Sequence, residues 1–268
     1  MFKIGAIGAG HMGMTILDAI TTQGLAEAGD ILVYELDERR RRLAKTRGFA
    51  AAGNESEVYA NVKLLLLAIP PQGCEELLFK LARSAKRQAQ KPTIINIMAG
   101  ISSDYIRKYL DTDTAVITVM PTLGMRVGQG AAAIAHTDNI DGEILSDIMG
   151  IFTTTGEAII VEEPFLKEIV AVNGCMPGYV FYMLDAFARA AEAKGIDYRT
   201  AVRMAARGFA GSAAQVLEEI DPRELLAQVC TPGGLTAKGI ESFNENQVDK
   251  LLAKGMESSI KRGYELAR

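Results

Sequence analysis

The sequence predicts an α/β protein in which a doubly wound, largely parallel sheet is followed by an all-helical domain. Apolar, β-rich runs recur through the first half at residues 2–7, 31–34, 62–69, 93–97 and 115–120, with helical patterns between them. The runs are nearly continuous rather than alternating, as expected of parallel strands covered by helices on both faces. From Phe165 onward only helical patterns remain, which sets a second domain apart from the first.

In chain order, the run 2–7 leads into Gly8-Ala9-Gly10-His11-Met12-Gly13, and the helical stretch 14–23 follows. This is G-x-G-x-x-G in the strand–turn–helix setting that gives the pattern meaning; the alternative is a tight turn in a ligand-free βαβ unit. The first two glycines permit the turn and close backbone approach to a pyrophosphate, the third permits helix–strand packing, and the helix start offers N–H donors. A dinucleotide-binding Rossmann domain is therefore expected, with Gly8, Gly10, His11, Met12 and Gly13 at the cofactor. His11 is not assigned an acid role. The second run ends at Tyr34-Glu35, where a carboxylate accepts hydrogen bonds from a ribose diol and favours NADH. Arginines at 39–42 follow closely and leave NADPH open, but such a cluster reads first as a solvated helix start and is left outside the site.

The third run closes with Ala68-Ile69-Pro70-Pro71-Gln72, which places Ala68 and Pro70 at the carboxyl edge of the sheet unless the prolines merely end the strand. Ala99-Gly100 follows the fourth run and either approaches the nicotinamide or makes a plain turn. Weaker strands at 130–136 and 158–162 flank a helical stretch from about 141 to 152 and extend the sheet. Pro164 closes the first domain, 1–164. The second, 165–268, carries helical stretches at 165–194, 199–220, 222–229, 236–243 and 247–267. Gly174, Pro177 and Gly178 interrupt the first of these and mark a close contact there.

Late in the chain, Thr231-Pro232-Gly233-Gly234-Leu235-Thr236 precedes a helical stretch. Two consecutive glycines let successive N–H groups converge on an anion, with a hydroxyl at either end, so the segment suits a small carboxylate. Gly-rich segments at both ends of the chain suggest separate cofactor and substrate sites.

Composition excludes other classes. A net charge of -4 gives no footprint for nucleic acid or an anionic membrane, and the apolar run 64–69 is too short to span a bilayer. Three cysteines without C-x-x-C spacing indicate neither a disulfide framework nor zinc, and two histidines cluster with no other ligand type, so no metal is expected. The first residues carry no leader pattern, and a cytoplasmic location is expected. Neither G-x-S-x-G nor G-K-[ST] occurs. Hydride transfer remains, and an easily protonated cyclic imine suits a site with no strong positioned acid.

Four segments carry a resemblance to pyrroline-5-carboxylate reductases over nearly the whole chain. They are the fingerprint; Ala99-Gly100-Ile101 with Val119-Met120-Pro121; Val172-Asn173-Gly174-Cys175-Met176-Pro177-Gly178-Tyr179-Val180-Phe181, similar to S-G-S-G-P-A-Y-V-F; and Thr231–Thr236, close to S-P-G-G-T-T. The resemblance implies NAD(P)H-dependent reduction of 1-pyrroline-5-carboxylate to L-proline. It also implies a carboxylate cradle at Thr231, Gly233, Gly234 and Leu235, with Thr236 on the ring nitrogen. A C-terminal dimerisation domain is implied, hence a homodimer or a ring of dimers.

Where M-P-N-T-P is usual the chain has Met120-Pro121-Thr122-Leu123-Gly124, and residues 173–176 are bulkier than the pattern. These departures leave two alternatives: a paralogue reducing another cyclic imine or keto acid, and a non-catalytic dinucleotide sensor. The β-hydroxyacid dehydrogenases need a Lys one helical turn before an Asn. Lys167 and Asn173 stand about 600° apart around a helix, on different faces, which argues against that family.

Overall fold

Strand β1 (Phe2–Ile7) pairs in parallel with β2 (Ile31–Tyr34) on one side and β4 (Val62–Leu67) on the other, while β3 (Ala50–Ala51) adds to β2. Beyond β4 follow β5 (Thr93–Asn96) and β6 (Val116–Pro121), both parallel, then β7 (Gly130–His136), antiparallel to β6, and β8 (Gly156–Ile160), parallel to β7. The order β3-β2-β1-β4-β5-β6-β7-β8 reverses direction between β1 and β4, the place where open α/β sheets hold ligands at their carboxyl edge. This computed structural model describes residues 2–86, 88 and 90–268.

The unbroken leucines of β4 show why periodicity was hidden. Leu64 and Leu66 face a core with Ile16, Leu17 and Ile20 of α1 (His11–Thr22), and with Ile148 and Phe152 of α6 (Gly142–Thr153). Leu65 and Leu67 face the other core, with Val58 of α3 (Glu55–Asn61), Leu78 and Leu81 of α4 (Cys74–Ala85) and Ile106 of α5 (Ser103–Leu110). Each buried leucine contributes about 1.5–3 kcal/mol of transfer free energy, so both faces must be apolar. Between β2 and β3 runs α2 (Glu38–Thr46), whose arginines are exposed.

Several boundaries differ from expectation. Helix α1 starts at His11, three residues before the stretch read from its apolar pattern, because its first turn is partly polar. Two-residue β3 is too short for any pattern to announce. The stretch 165–194 is two helices, α7 (Leu166–Val172) and α8 (Met176–Glu192), broken at Asn173-Gly174-Cys175.

Two compact units result: Met1–Gly174 with Ile260–Arg268, and Cys175–Ser259. The boundary expected at Pro164 falls inside the first unit, since Leu166, Ile169 and Val170 of α7 pack with Met120, Ala133 and Ala135 of the sheet. The second unit holds α8, α9 (Tyr198–Leu217), α10 (Pro222–Val229), α11 (Leu235–Glu245) and the beginning of α12 (Val248–Leu266), whose end belongs to the first unit. Among its described residues only Ala188 and Ala201 are buried, while Phe181, Tyr182, Met204 and Leu217 are exposed. A unit with so little core of its own needs a covering surface.

Candidate active site

Helix starts separate into three kinds. Side chains of Asp37, Asn54, Ser102, Asp141, Asp197 and Asp221 accept N–H groups at the starts of α2, α3, α5, α6, α9 and α10. Helices α4, α7 and α8 follow residues already in the right-handed helical conformation. By contrast, α1 and α11 begin on extended Gly10 and Gly234, and neither has a side-chain cap. Their first N–H groups are left for something else, and a helix start with free N–H groups favours an anion.

At α1 the glycines have distinct roles. Gly8 (φ +95°) donates its N–H to Tyr34 O at 2.9 Å, and a Cβ there would stand 2.5 Å from Ala68 O. A Cβ on Gly13 would lie 2.7 Å from Gly8 O, so helix and strand pack through its absence. Gly10 is different: the nearest atom to its would-be Cβ is Arg40 Nη1 at 3.6 Å, leaving the space open. Fold requires the outer two glycines; the middle one keeps a cradle clear. His11 is exposed and Met12 packs against the core.

Glu35 is buried at the end of β2. Its Oε2 accepts the N–H of Ala9 at 2.6 Å, and its Oε1 accepts the N–H of Asp37 at 2.9 Å. Gly8, Gly10, Glu35, Arg40, Ala68 and Pro70 bound a cleft of about 260 Å³ at the β1/β4 switch point. A dinucleotide fits this donor set: an open glycine cradle, unpaired helix-start N–H groups and a fixed carboxylate. Arg40 was left outside the site by sequence reasoning. Its position three residues after the cap Asp37, in the first turn of α2, was the signal that distinguished it from its neighbours. The Arg40 N–H bond holds the Asp37 carboxyl below its ordinary value.

Ala99 is exposed after β5, and neither it nor Gly100 lines this cleft. With φ +78° Gly100 accepts the N–H of Arg268 at 2.8 Å, and a Cβ would meet Leu266 O at 3.2 Å. This contact accounts for the need for glycine at position 100. Thr122, read as a departure near the ligands, is buried; its Oγ1 accepts the N–H of Ala131 at 2.9 Å and ties β6 to β7. Asn173 is likewise internal, donating from Nδ2 to Met120 O at 2.6 Å.

In the helical unit, Gly234 donates its N–H to Thr231 O at 2.9 Å, and Gly233 has φ +71°. With Pro232 second and Gly233 third, this is a type II β-turn. Gly234 thus closes the turn, and its N–H is not free for a ligand, contrary to the expected cradle. The donors that remain are the N–H groups of Leu235, Thr236 and Ala237 at the start of α11, beside the hydroxyls of exposed Thr231 and Thr236. Among the described residues no group of three His, Cys, Asp or Glu could hold a metal.

Two family models match separate stretches of the chain. The family model described as pyrroline-5-carboxylate reductase dimerisation matches residues 163–266, and that described as NADP oxidoreductase coenzyme F420-dependent matches residues 3–100. The pyrroline-5-carboxylate reductase of Aquifex aeolicus (strain VF5) is 31% identical over 244 residues, covering 91% of this chain and 89% of that protein. In fold, the chain is similar to the pyrroline-5-carboxylate reductase of Coxiella burnetii (TM-score 0.88, 23% identity, covering 100% and 99% of the two chains). It is equally similar to a Plasmodium falciparum pyrroline carboxylate reductase solved with NADP bound (TM-score 0.88, 18% identity, covering 100% and 98%). With an uncapped helix start in each unit, and a relative of this identity matching along nearly its whole length, the chain belongs to the pyrroline-5-carboxylate reductase family of NAD(P)-dependent oxidoreductases.

Proposed function

We propose that this chain reduces 1-pyrroline-5-carboxylate to L-proline with NAD(P)H. The observation that carries the reading is the pair of helix starts without a side-chain cap that follow extended glycines, one at a Rossmann switch point and one beside two threonine hydroxyls. A reduced dinucleotide held at the first by its pyrophosphate would supply the hydride for the carbon of the C=N bond. The N–H groups of Leu235, Thr236 and Ala237, with the Thr231 hydroxyl, hold the substrate carboxylate. The Thr236 hydroxyl orients the ring nitrogen, which takes its proton from water. Gly8, Gly10, His11, Met12 and Gly13 hold the pyrophosphate, with Ala68, Pro70 and Ala99 along the edge.

NADH is the favoured cofactor in this reading. Glu35 lines the cleft with a fixed carboxylate suited to a ribose diol and repulsive to a 2′-phosphate. Arg40 supplies a countercharge that keeps NADPH usable. A homodimer is part of the proposal, formed through the exposed apolar side chains of the helical unit, as is assembly of dimers into a ring. The stretch Glu163–Glu192 is long and apolar enough to cross a membrane by composition, but it breaks at 173–175, and Phe181, Tyr182 and Phe187 fit a partner subunit. A cytoplasmic location accompanies this reading, supported by three free cysteines.

Purified protein mixed with 1-pyrroline-5-carboxylate and either reduced cofactor tests the activity. Stoichiometric loss of reduced cofactor and appearance of proline is expected. Turnover of another cyclic imine alone would assign the paralogous activity, and tight cofactor binding without turnover of any imine would assign a sensor.

A further inference from the structure

Arg268 is joined to the turn around Gly100 by more than one bond. Besides the Arg268 N–H to Gly100 O bond, Arg268 O accepts both the Ser102 N–H (3.0 Å) and the Ser102 hydroxyl (2.7 Å). The main chain of Arg268 therefore pairs with the turn 98–102 from both of its polar groups. Its guanidinium reaches Glu75 Oε2 of α4 at 3.1 Å, and Glu75 Oε1 accepts the Tyr109 hydroxyl of α5 at 3.1 Å. Leu266 and Ala267 fill the space a side chain on Gly100 would need. Upstream in the same segment, the Tyr264 hydroxyl donates to Glu168, and Lys167 lies over the Tyr264 ring at 5.0 Å. Residues 264–268 are thus tied to α7 at one end and to the β5–α5 turn at the other.

We propose that residues 266–268 are a positioning element for the nicotinamide half of the cofactor. The turn they hold presents Ala99 at the carboxyl edge of β5, on the side of the switch point away from β2 and Glu35. In a doubly wound sheet the two halves of a dinucleotide lie on opposite sides of that point, so β5 serves the nicotinamide half. Without Arg268, the left-handed Gly100 loses its main-chain partner, and the Ser102 N–H at the start of α5 loses its acceptor. The turn gains freedom that a bound nicotinamide must then remove, and affinity falls by the fraction of time the turn is competent. This inference rests on the reading of Ala99 as part of the dinucleotide site.

The test compares the full chain with one ended at Leu266, and with Arg268→Ala, which keeps the main-chain bonds and loses only the tie to Glu75. Affinities for NADH and for ADP-ribose, which lacks the nicotinamide, are measured together with kcat and the exchange rate of the Ser102 amide. The chain ended at Leu266 is expected to bind ADP-ribose within about twofold of the full chain, bind NADH at least ~5-fold more weakly and turn over ~10-fold more slowly, with faster Ser102 exchange. Arg268→Ala should fall between the two. Equal losses for NADH and ADP-ribose, or unchanged NADH affinity and kcat with faster exchange at Ser102, overturn the proposal. Failure of the full chain itself to bind NADH more tightly than ADP-ribose would instead overturn the reading of Ala99, and with it the basis of the proposal.

Discussion

The Oε2 atom of Glu35 accepts a 2.6 Å hydrogen bond from the N–H of Ala9, so the carboxylate at the end of β2 is fastened to the fingerprint that β1 leads into. One residue thereby holds the fingerprint and lines the cleft beside it. Glu35→Ser should shift the ratio of kcat/KM values toward NADPH by ~10-fold or more, because the repulsive charge goes while Arg40 stays. Adding Arg40→Ala should reverse much of that gain. Steady-state kinetics with both cofactors checks this, and an unchanged ratio in Glu35→Ser removes Glu35 from the selectivity.

Gly10 and Gly13 make opposite predictions although both belong to one motif. Gly13→Ala drives a Cβ to 2.7 Å from Gly8 O and should lower stability as well as cofactor affinity. Gly10→Ala has room in the free protein, so its melting temperature should hold while NADH affinity drops about tenfold or more. Thermal unfolding beside cofactor titration separates the two; a large stability loss in Gly10→Ala would contradict the open cradle.

Thr236 lies in the first turn of α11, in the unit without the fingerprint. Thr236→Ala should lower kcat by about 10²-fold with cofactor affinity nearly unchanged, while Thr236→Ser retains most activity. Parallel loss of cofactor binding would remove the assigned role.

Alkaline stability follows from two groups beneath the sheet. Burial pushes the Cys74 thiol up from 9.0 to about 11 and the Tyr59 hydroxyl up from 10.0 to about 12. The folded chain keeps both protons longer than the unfolded chain. Their contribution is therefore whole below pH 9 and is lost as pH rises through the unfolded and then the folded values. Urea unfolding across this range should show a falling midpoint, with a shallower fall in Tyr59→Phe. The Tyr59 hydroxyl is also buried with no hydrogen-bond partner, so Tyr59→Phe should match or exceed wild-type stability by about 1 kcal/mol at neutral pH.

The fingerprint shows how much of the site was legible. G-x-G-x-x-G after an apolar run states a local conformation that few other residue sets can adopt, so α1 and the Gly8 turn were readable from spacing alone. Arg40 was not, because four consecutive arginines look alike in sequence and only the Asp37 cap fixes which of them meets Gly10. Thr122, noted in sequence only as a departure from the usual strand end, gained its role from its neighbours. The use of its hydroxyl by the Ala131 N–H depends on a partner strand the pattern cannot orient.

By itself the sequence determined what local chemistry fixes: the apolar runs that must be buried on two faces, the glycines that must turn, and the residue types at each helix start. Tertiary structure decided what depends on distant neighbours. It turned β7 antiparallel to β6, returned residues 260–268 to the sheet unit and set Arg268 against Gly100, 168 positions earlier in the chain. A backbone hydrogen bond carries no side-chain signature, so nothing in the residue types at Gly100 or Arg268 could announce that pairing.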